Sequence, residues 1–157
     1  MKLYIKQKVF SFRDRFTVKD EHNHDKYFAE GVFLSLGKQL HIYDTNGHPV
    51  AFIRQKLFSW MPRFVIEIDG HEVCEIAQRF QFMRNDYDLH GVPWQLHGDF
   101  IGHEYDLTDG QNILMQLSKA WFTWGDSYEM NIQPNTDELL CLCIALAVDC
   151  AMCVSRR

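Results

Sequence analysis

Proline-rich, low-complexity and linker-like stretches are all missing from this chain, so nothing along it marks a boundary between domains. It is read as a single domain, residues 1–157, long enough to bury a substantial core. Positive charge is also in short supply. The 16 lysines and arginines stand against 21 aspartates and glutamates, and the formal net charge of −5 argues against a nucleic-acid partner bound through global charge. The amino-terminal MKLYIKQKVF holds three lysines but no long apolar core, so no signal peptide is expected and the cytoplasm is the expected compartment. Catalytic signatures are absent too: there is no G-x-S-x-G, no H-E-x-x-H, no phosphate-binding glycine loop and no dinucleotide fingerprint. The chain reads as non-enzymatic, with no cofactor expected.

Helical periodicity is almost absent from the first 133 residues, which instead show short alternating runs separated by turn signals. Asp44-Thr-Asn-Gly47, Asp69-Gly70, His90-Gly91 and Thr108-Asp-Gly110 recur at about the length of one hairpin, and Asn-Gly and Asp-Gly pairs favour the positive φ of tight turns. Twelve strands are expected, at 3–9, 14–19, 26–34, 39–43, 49–56, 63–68, 71–78, 82–89, 94–98, 103–107, 112–119 and 127–132. Period-two pleating puts Phe64, Ile66 and Ile68 on one face and Arg63, Val65 and Glu67 on the other. The polar run Asp20 to Asp25 is read as the turn of the first hairpin.

One long apolar run is present, the ten residues Leu139 to Val148. A helix of that composition has no polar face and must be wrapped on all sides. Asn135 followed by Glu138 reads as a capping box, and Arg156 and Arg157 suit the far terminus. Leu139 to Val154 spans about 24 Å, short of the ~30 Å hydrocarbon layer, and Asp149 interrupts it. A buried core helix is expected rather than a transmembrane one. Cys141, Cys143, Cys150 and Cys153 lie in the same stretch; Cys141 and Cys143 would point about 200° apart on a helix, so the set cannot converge on a metal. They read as small buried hydrophobes of a reducing compartment. Twelve half-apolar strands and one wholly apolar helix are complementary parts: a barrel of about eleven or more strands can hold a helix on its axis. The expected fold is a mainly β, closed, twelve-stranded antiparallel barrel enclosing the carboxyl-terminal helix.

The order Lys38-x5-Asp44-x2-Gly47-x2-Val50-Ala51-x-Ile53, then Gly98-Asp99-Phe100, then Trp121-x2-Trp124-Gly125-Asp126-Ser127-Tyr128, then the apolar helix ending Ala147-Val148-Asp149-Cys150, resembles the LURP-one-related family. That family belongs to the tubby carboxyl-terminal-like superfamily, which also includes the phospholipid scramblases. The resemblance covers nearly the whole chain and implies a twelve-stranded barrel around a central helix. It implies little chemistry. Tubby proteins bind phosphoinositide head groups through basic side chains on the barrel's outside, and those residues have no one-to-one match here.

Two candidate sites follow from the residues. Lys2, Lys6, Lys8, Arg13, Arg15 and Lys19 oppose a single Asp14 within residues 1–19, and Arg54 and Lys56 share a face of a later strand. If those strands are neighbours, Lys6, Lys8, Arg13, Arg15, Arg54 and Lys56 form a patch for an anionic phospholipid head group or membrane surface, and the protein would be peripheral to the membrane. The competing reading is that exterior charges keep a barrel soluble and guard its edges. A protein partner is the other ligand class expected of a scaffold, and the oligomeric state is left open. The alternative function is a small enzyme or metal-binding protein centred on His97, Asp99 and His103, against which Gly98-Asp99-Phe100 needs no more than a turn role. His22 and His24 read as part of a solvated turn. Asp149 is expected to pair with a barrel cation or tyrosine and to fix the helix register.

Overall fold

The computed structural model describes residues 1–6, 15–32, 36–81, 84–120 and 127–155. Trp121, Trp124, Gly125, Asp126, Arg156 and Arg157 lie outside the described residues. Twelve strands precede one helix: β1 (Lys2–Lys6), β2 (Phe16–Asp20), β3 (Asp25–Gly31), β4 (Gln39–Asp44), β5 (Pro49–Gln55), β6 (Arg63–Ile68), β7 (His71–Gln81), β8 (Arg84–His90), β9 (Gln95–Asp99), β10 (Glu104–Thr108), β11 (Ile113–Ala120), β12 (Ser127–Ile132) and α1 (Glu138–Ser155). Each expected strand has its counterpart.

All the strands join one antiparallel sheet in the order β8-β7-β6-β5-β4-β3-β2-β1-β12-β11-β10-β9. Every neighbour is also a neighbour in sequence except β1 and β12, so the fold is a meander whose first and last strands meet. That closure is tight: Ile5 faces Tyr128 and Leu3 faces Met130, and Met1 and Ile132 exchange backbone bonds of 3.0 and 2.8 Å. The barrel differs from the expected closed one at a single place. Its ladder ends at β8 and β9, which lie side by side but form no ladder with each other. Two features keep them apart. Gly98 in β9 has φ +138°, and a Cβ there would sit 2.5 Å from the Glu104 carbonyl oxygen, so β9 is drawn hard onto β10. Asp86 and Asp88 on β8 and Asp99 on β9 stand on the outer face, where like charges oppose a close approach.

The interior alternates large and small side chains around α1. Ile42, Ile53, Phe64 and Ile76 are fully buried, and Ala29 and Ala51 leave room for the helix. Every residue of α1 from Leu140 to Met152 is buried, as a helix without a polar face requires. This helix is long and apolar enough to cross a membrane, yet here the barrel wraps it. Its cap is set two residues from the expected position. Asp137 is the N-cap, its Oδ1 accepting the Leu140 amide at 3.0 Å, while Asn135 adopts φ +66° in the preceding turn. Glu138 accepts from Lys26 Nζ at 2.8 Å and from the Tyr27 hydroxyl at 2.9 Å, and burial first, then Glu138, pushes the Tyr27 phenol up. At the far end Ser155 Oγ lies 2.8 Å from the Ala151 carbonyl and within hydrogen-bond reach of the Gln78 side chain. Between these anchors Asp149 Oδ1 lies 3.5 Å from His103 Nε2, and the His103 ring stacks on Tyr128 at 4.4 Å. The helix is therefore fixed in register at both ends and at Asp149.

Val65 departs from the alternation, because it points outward and is still only 1% exposed. Its cross-strand neighbours are Arg54 on β5 and Glu75 on β7. Long paired side chains can cover apolar surface with their stems, and here they roof an outward valine.

Candidate functional site

Because the strands alternate in direction, β1, β3, β5, β7, β9 and β11 finish at one end of the barrel, together with the carboxyl end of α1, and β2, β4, β6, β8, β10 and β12 finish at the opposite end. The two ends differ in chemistry. The second is polar and acidic, built from Asp-headed turns. Asp20 Oδ1 accepts the His22 and His24 amides, Asp44 Oδ1 those of Asn46 and His48, and Asp109 Oδ1 those of Gln111 and Asn112, all at 2.8–3.0 Å. In the first two, Asn23 and Gly47 supply the positive φ three residues on.

Those amide bonds, led by His24, His48 and Asn112 respectively, hold the carboxyl groups of Asp20, Asp44 and Asp109 below the ordinary aspartate value. A folded-state value below the unfolded one contributes stability that is fully present above the unfolded value, about 3.9, and is lost as pH falls through the lower folded value. Melting temperature is accordingly expected to hold from pH 7 to about 5 and to fall below about 4. Asp44→Asn, which keeps the acceptor and removes the charge, should make that fall shallower in melts across pH 2–7.

The other end carries aromatic and aliphatic side chains in water. The β5–β6 connection, 56–62, holds Phe58 and Trp60 at 104% and 98% exposure. The loop is anchored beneath them: the Lys56 amide bonds to the Arg63 carbonyl at 2.9 Å, Ser59 Oγ to the Met61 carbonyl at 2.8 Å, and the Gln78 amide to the Pro62 carbonyl at 2.9 Å. Phe58 itself has φ +63°, a left-handed conformation costly for a bulky residue. A rigid loop thus holds a strained aromatic outward instead of letting it fold back. Phe80 on the neighbouring β7 is exposed as well, and with Trp60, Val154 and Ser155 it borders a hollow of about 590 Å³ over the helix end. Leu36 and Leu57 extend the apolar surface, and the adjacent connection is tied in by the Gln55 amide to the Lys38 carbonyl at 2.8 Å.

The structure distributes the cationic candidates differently from expectation. β1 lies between β2 and β12, and β5 between β4 and β6, so the two strands are not neighbours and share no outer face. Arg54 engages Glu67 and Glu72, and Lys56 reaches Glu75 at 3.2 Å, which Arg63 also reaches at 3.0 Å. Arg15 lies over the Phe28 ring, 4.6 Å from its centroid. Lys8 and Arg13 lie outside the described residues. What the fold brings together is an end rather than a face. Lys6 closes β1, Arg15 precedes β2, Lys38 precedes β4, and Lys56 and Arg63 flank the Phe58 loop, so cations border the apolar end on the β1–β6 side.

The His97, Asp99 and His103 set is not brought together. His97 points out from β9, Asp99 Oδ1 accepts the Gly102 amide at 2.9 Å within the β9–β10 turn, and His103 turns inward to Asp149. A Cβ on Gly102 would meet Asp99 Oδ2 at 2.2 Å, and Phe100 is buried between Tyr87 and Tyr105. Gly98-Asp99-Phe100 is thus a strand-end and turn device. Among the described residues no group of three or more His, Cys, Asp or Glu side chains is placed to hold a metal.

The exposed aromatics were missed at the level of sequence. Their signal was there: Phe58-Ser-Trp60-Met61-Pro62 sits between two strands, where the hairpin turns at 44–47, 69–70 and 108–110 carry Asp, Asn and Gly. A second feature, the β8–β9 seam, opens into a cavity of about 1130 Å³ that reaches Met152 and Ser155 of α1.

A helix-filled antiparallel barrel of this kind defines a class of fold and not any one chemistry. The family model described as LURP-one-related matches residues 1–149, and the chain belongs to that family. It is 40% identical over 149 residues to the uncharacterized protein YxjI of Bacillus subtilis (strain 168), covering 95% of this chain and 92% of that one. It also resembles the X-ray structure of an Arabidopsis thaliana protein, with a TM-score of 0.67 at 14% identity, covering 94% of this chain and 88% of the other. At that identity the likeness speaks for the fold alone.

Proposed function

We propose that this protein is a non-enzymatic binding module that docks peripherally on an anionic, cytoplasm-facing membrane surface, leading with the end of the barrel that carries Phe58 and Trp60. The observation behind this reading is the pair of fully exposed aromatics held out by an anchored, strained loop. Aromatic rings favour the headgroup level of a bilayer, where an apolar body and a wet rim are both accommodated. Basic residues near an anionic leaflet contribute about 1 kcal/mol each, and Lys6, Arg15, Lys38, Lys56 and Arg63 stand at or near this end. Glu75 sits between Lys56 and Arg63 and offsets part of their charge, which leaves the rings the larger share of the affinity. The acidic Asp-headed turns at the opposite end set the orientation, since an anionic surface repels them. The family resemblance to tubby proteins and scramblases points to the same ligand class.

Sedimentation with vesicles tests this. Binding is expected to vesicles holding about a third anionic lipid, to weaken between 0.1 and 0.5 M salt, and to drop at least tenfold for Phe58→Ser/Trp60→Ser. Absence of vesicle binding, or binding that ignores the double substitution, overturns the reading and leaves a protein partner for the same surface.

A further inference from the structure

The β8–β9 seam carries a hollow that the membrane-docking end does not use. The two strands are joined by the short connection 91–94 and lie side by side, and the hollow, about 1130 Å³, extends from that connection to Met152 and Ser155 near the carboxyl end of α1. This is slightly above the ~300–1000 Å³ of ordinary small-molecule sites. Its floor is apolar: Tyr87, Leu96, Phe100 and Met152 border it and are each less than one-tenth exposed. Tyr87 meets Phe100 edge-on at 4.9 Å, which makes that part firm, while an unbranched methionine adapts to whatever packs on it. Val92 and Trp94, half-buried in the connection, add apolar surface at the other end. The rim has a sign. Among the described residues Asp86, Asp88 and Asp99 border the hollow with one cation, Arg79, which reaches Asp86 at 4.0 Å and Asp88 at 3.4 Å. One guanidinium cannot cancel three carboxylates, so the mouth stays net negative with those pairs made. Asp86 and Tyr87 are engaged within the protein, and the hollow therefore offers a ligand its shape and its field rather than open backbone groups.

We infer that this hollow binds a lipophilic amine, a small molecule with one ammonium group on an apolar body. The body covers Leu96, Phe100 and Met152, which removes apolar surface of both partners from water. The ammonium stays at the wet rim beside Asp88 and Asp99, where it is attracted without the cost of being buried. A carboxylate or phosphate on the same apolar body meets repulsion from the same acids, so the hollow discriminates by sign where its floor alone would not. This inference does not depend on membrane docking, which uses the β5–β6 connection and an anionic ligand.

Octylamine is the probe. Its controls are octanoate, the same chain under the opposite charge, and propylamine, the same charge on a short chain. Tryptophan emission reports binding, and Trp94→Phe shows which part of the signal arises in the hollow. Octylamine is expected to bind saturably and about tenfold or more tightly than either control. It should also raise Tm, as a ligand of the folded state does, at concentrations where octanoate leaves Tm unchanged. Asp86→Asn/Asp88→Asn should weaken octylamine about tenfold and bring octanoate closer to it, and Asp88→Asn alone serves if the double change fails to fold. Val92→Phe, which fills the hollow from its half-exposed side, should weaken octylamine to a similar degree with the rim charge unchanged. Octanoate or propylamine binding as tightly as octylamine, a signal that survives Trp94→Phe intact, or undiminished binding to a folded rim or Val92 variant overturns the inference. Vesicle binding by Phe58→Ser/Trp60→Ser is scored separately, so either idea can fail while the other stands.

Discussion

A chain ending at Asp137 is expected to yield no folded protein. Leu140, Leu142, Ile144, Leu146, Val148 and Met152 are all buried by the barrel wall, and burying side chains of this size is worth about 1.5–3 kcal/mol each, or roughly 9–18 kcal/mol together. The net stability of a whole domain is about 5–15 kcal/mol. The loss is also felt on the other side, since Ile42, Ile53, Phe64 and Ile76 would face a void where α1 was. The truncated chain should be found insoluble, or soluble without near-ultraviolet ellipticity and quickly cut by protease. A soluble, cooperatively melting barrel from residues 1–137 would show that the helix is an accessory and the wall self-sufficient.

The second large effect is expected at the acid within that helix. The side chains of His103 and Asp149 are 12% and 7% exposed, and the imidazole ring is held by stacking on Tyr128. His103→Ala removes both a polar partner of a buried carboxylate and an aromatic contact. The first costs about 1–3 kcal/mol and the second about 0.5–1.5 kcal/mol, so a destabilisation of about 2–4 kcal/mol is expected. For a domain of this size that lowers Tm by roughly 5–15 °C. His103→Leu/Asp149→Leu should recover most of the loss, because a buried polar pair replaced by packed apolar groups is often neutral or stabilising. Urea midpoints of the single and double variants give the coupling directly. A double variant no better than His103→Ala would mean that Asp149 is held chiefly by other neighbours.

The barrel could be read from the sequence because its two signals are local. Alternation in runs such as Arg63 to Ile68, and Asp-Gly or Asn-Gly pairs between runs, depend only on neighbouring residues, and the ten-residue apolar run has one physical solution once twelve half-apolar strands are counted. Where the reading failed, the cause was non-local. Asn135 and Asp137 are both good caps, and the turn at 133–136 decided for Asp137. Val65 looked like an outward residue in water and is outward but covered, since its cover comes from Arg54 and Glu75 on two other strands. The cationic patch assumed that β1 and β5 touch, which depends on strand order and not on either strand. The seam was invisible for the same reason: nothing in β8 or β9 alone announces that the ladder ends there. Phe58 and Trp60 were legible in principle, and were passed over because alternation was sought and apolar connections were not.

The burial of the helix also has a chemical consequence. Cys74 on the wall and Cys141 on the helix have their thiols pushed up to about 12, and Cys143 and Cys150 are likewise raised, in each case by desolvation first. At neutral pH almost no thiolate forms at these sulfurs, and alkylating or oxidising reagents attack the thiolate. The folded protein therefore carries four dormant sulfurs that acquire ordinary reactivity only when the helix leaves the barrel. Their rate of capture by a maleimide reports how often the molecule opens completely, a kinetic quantity that equilibrium melting does not give.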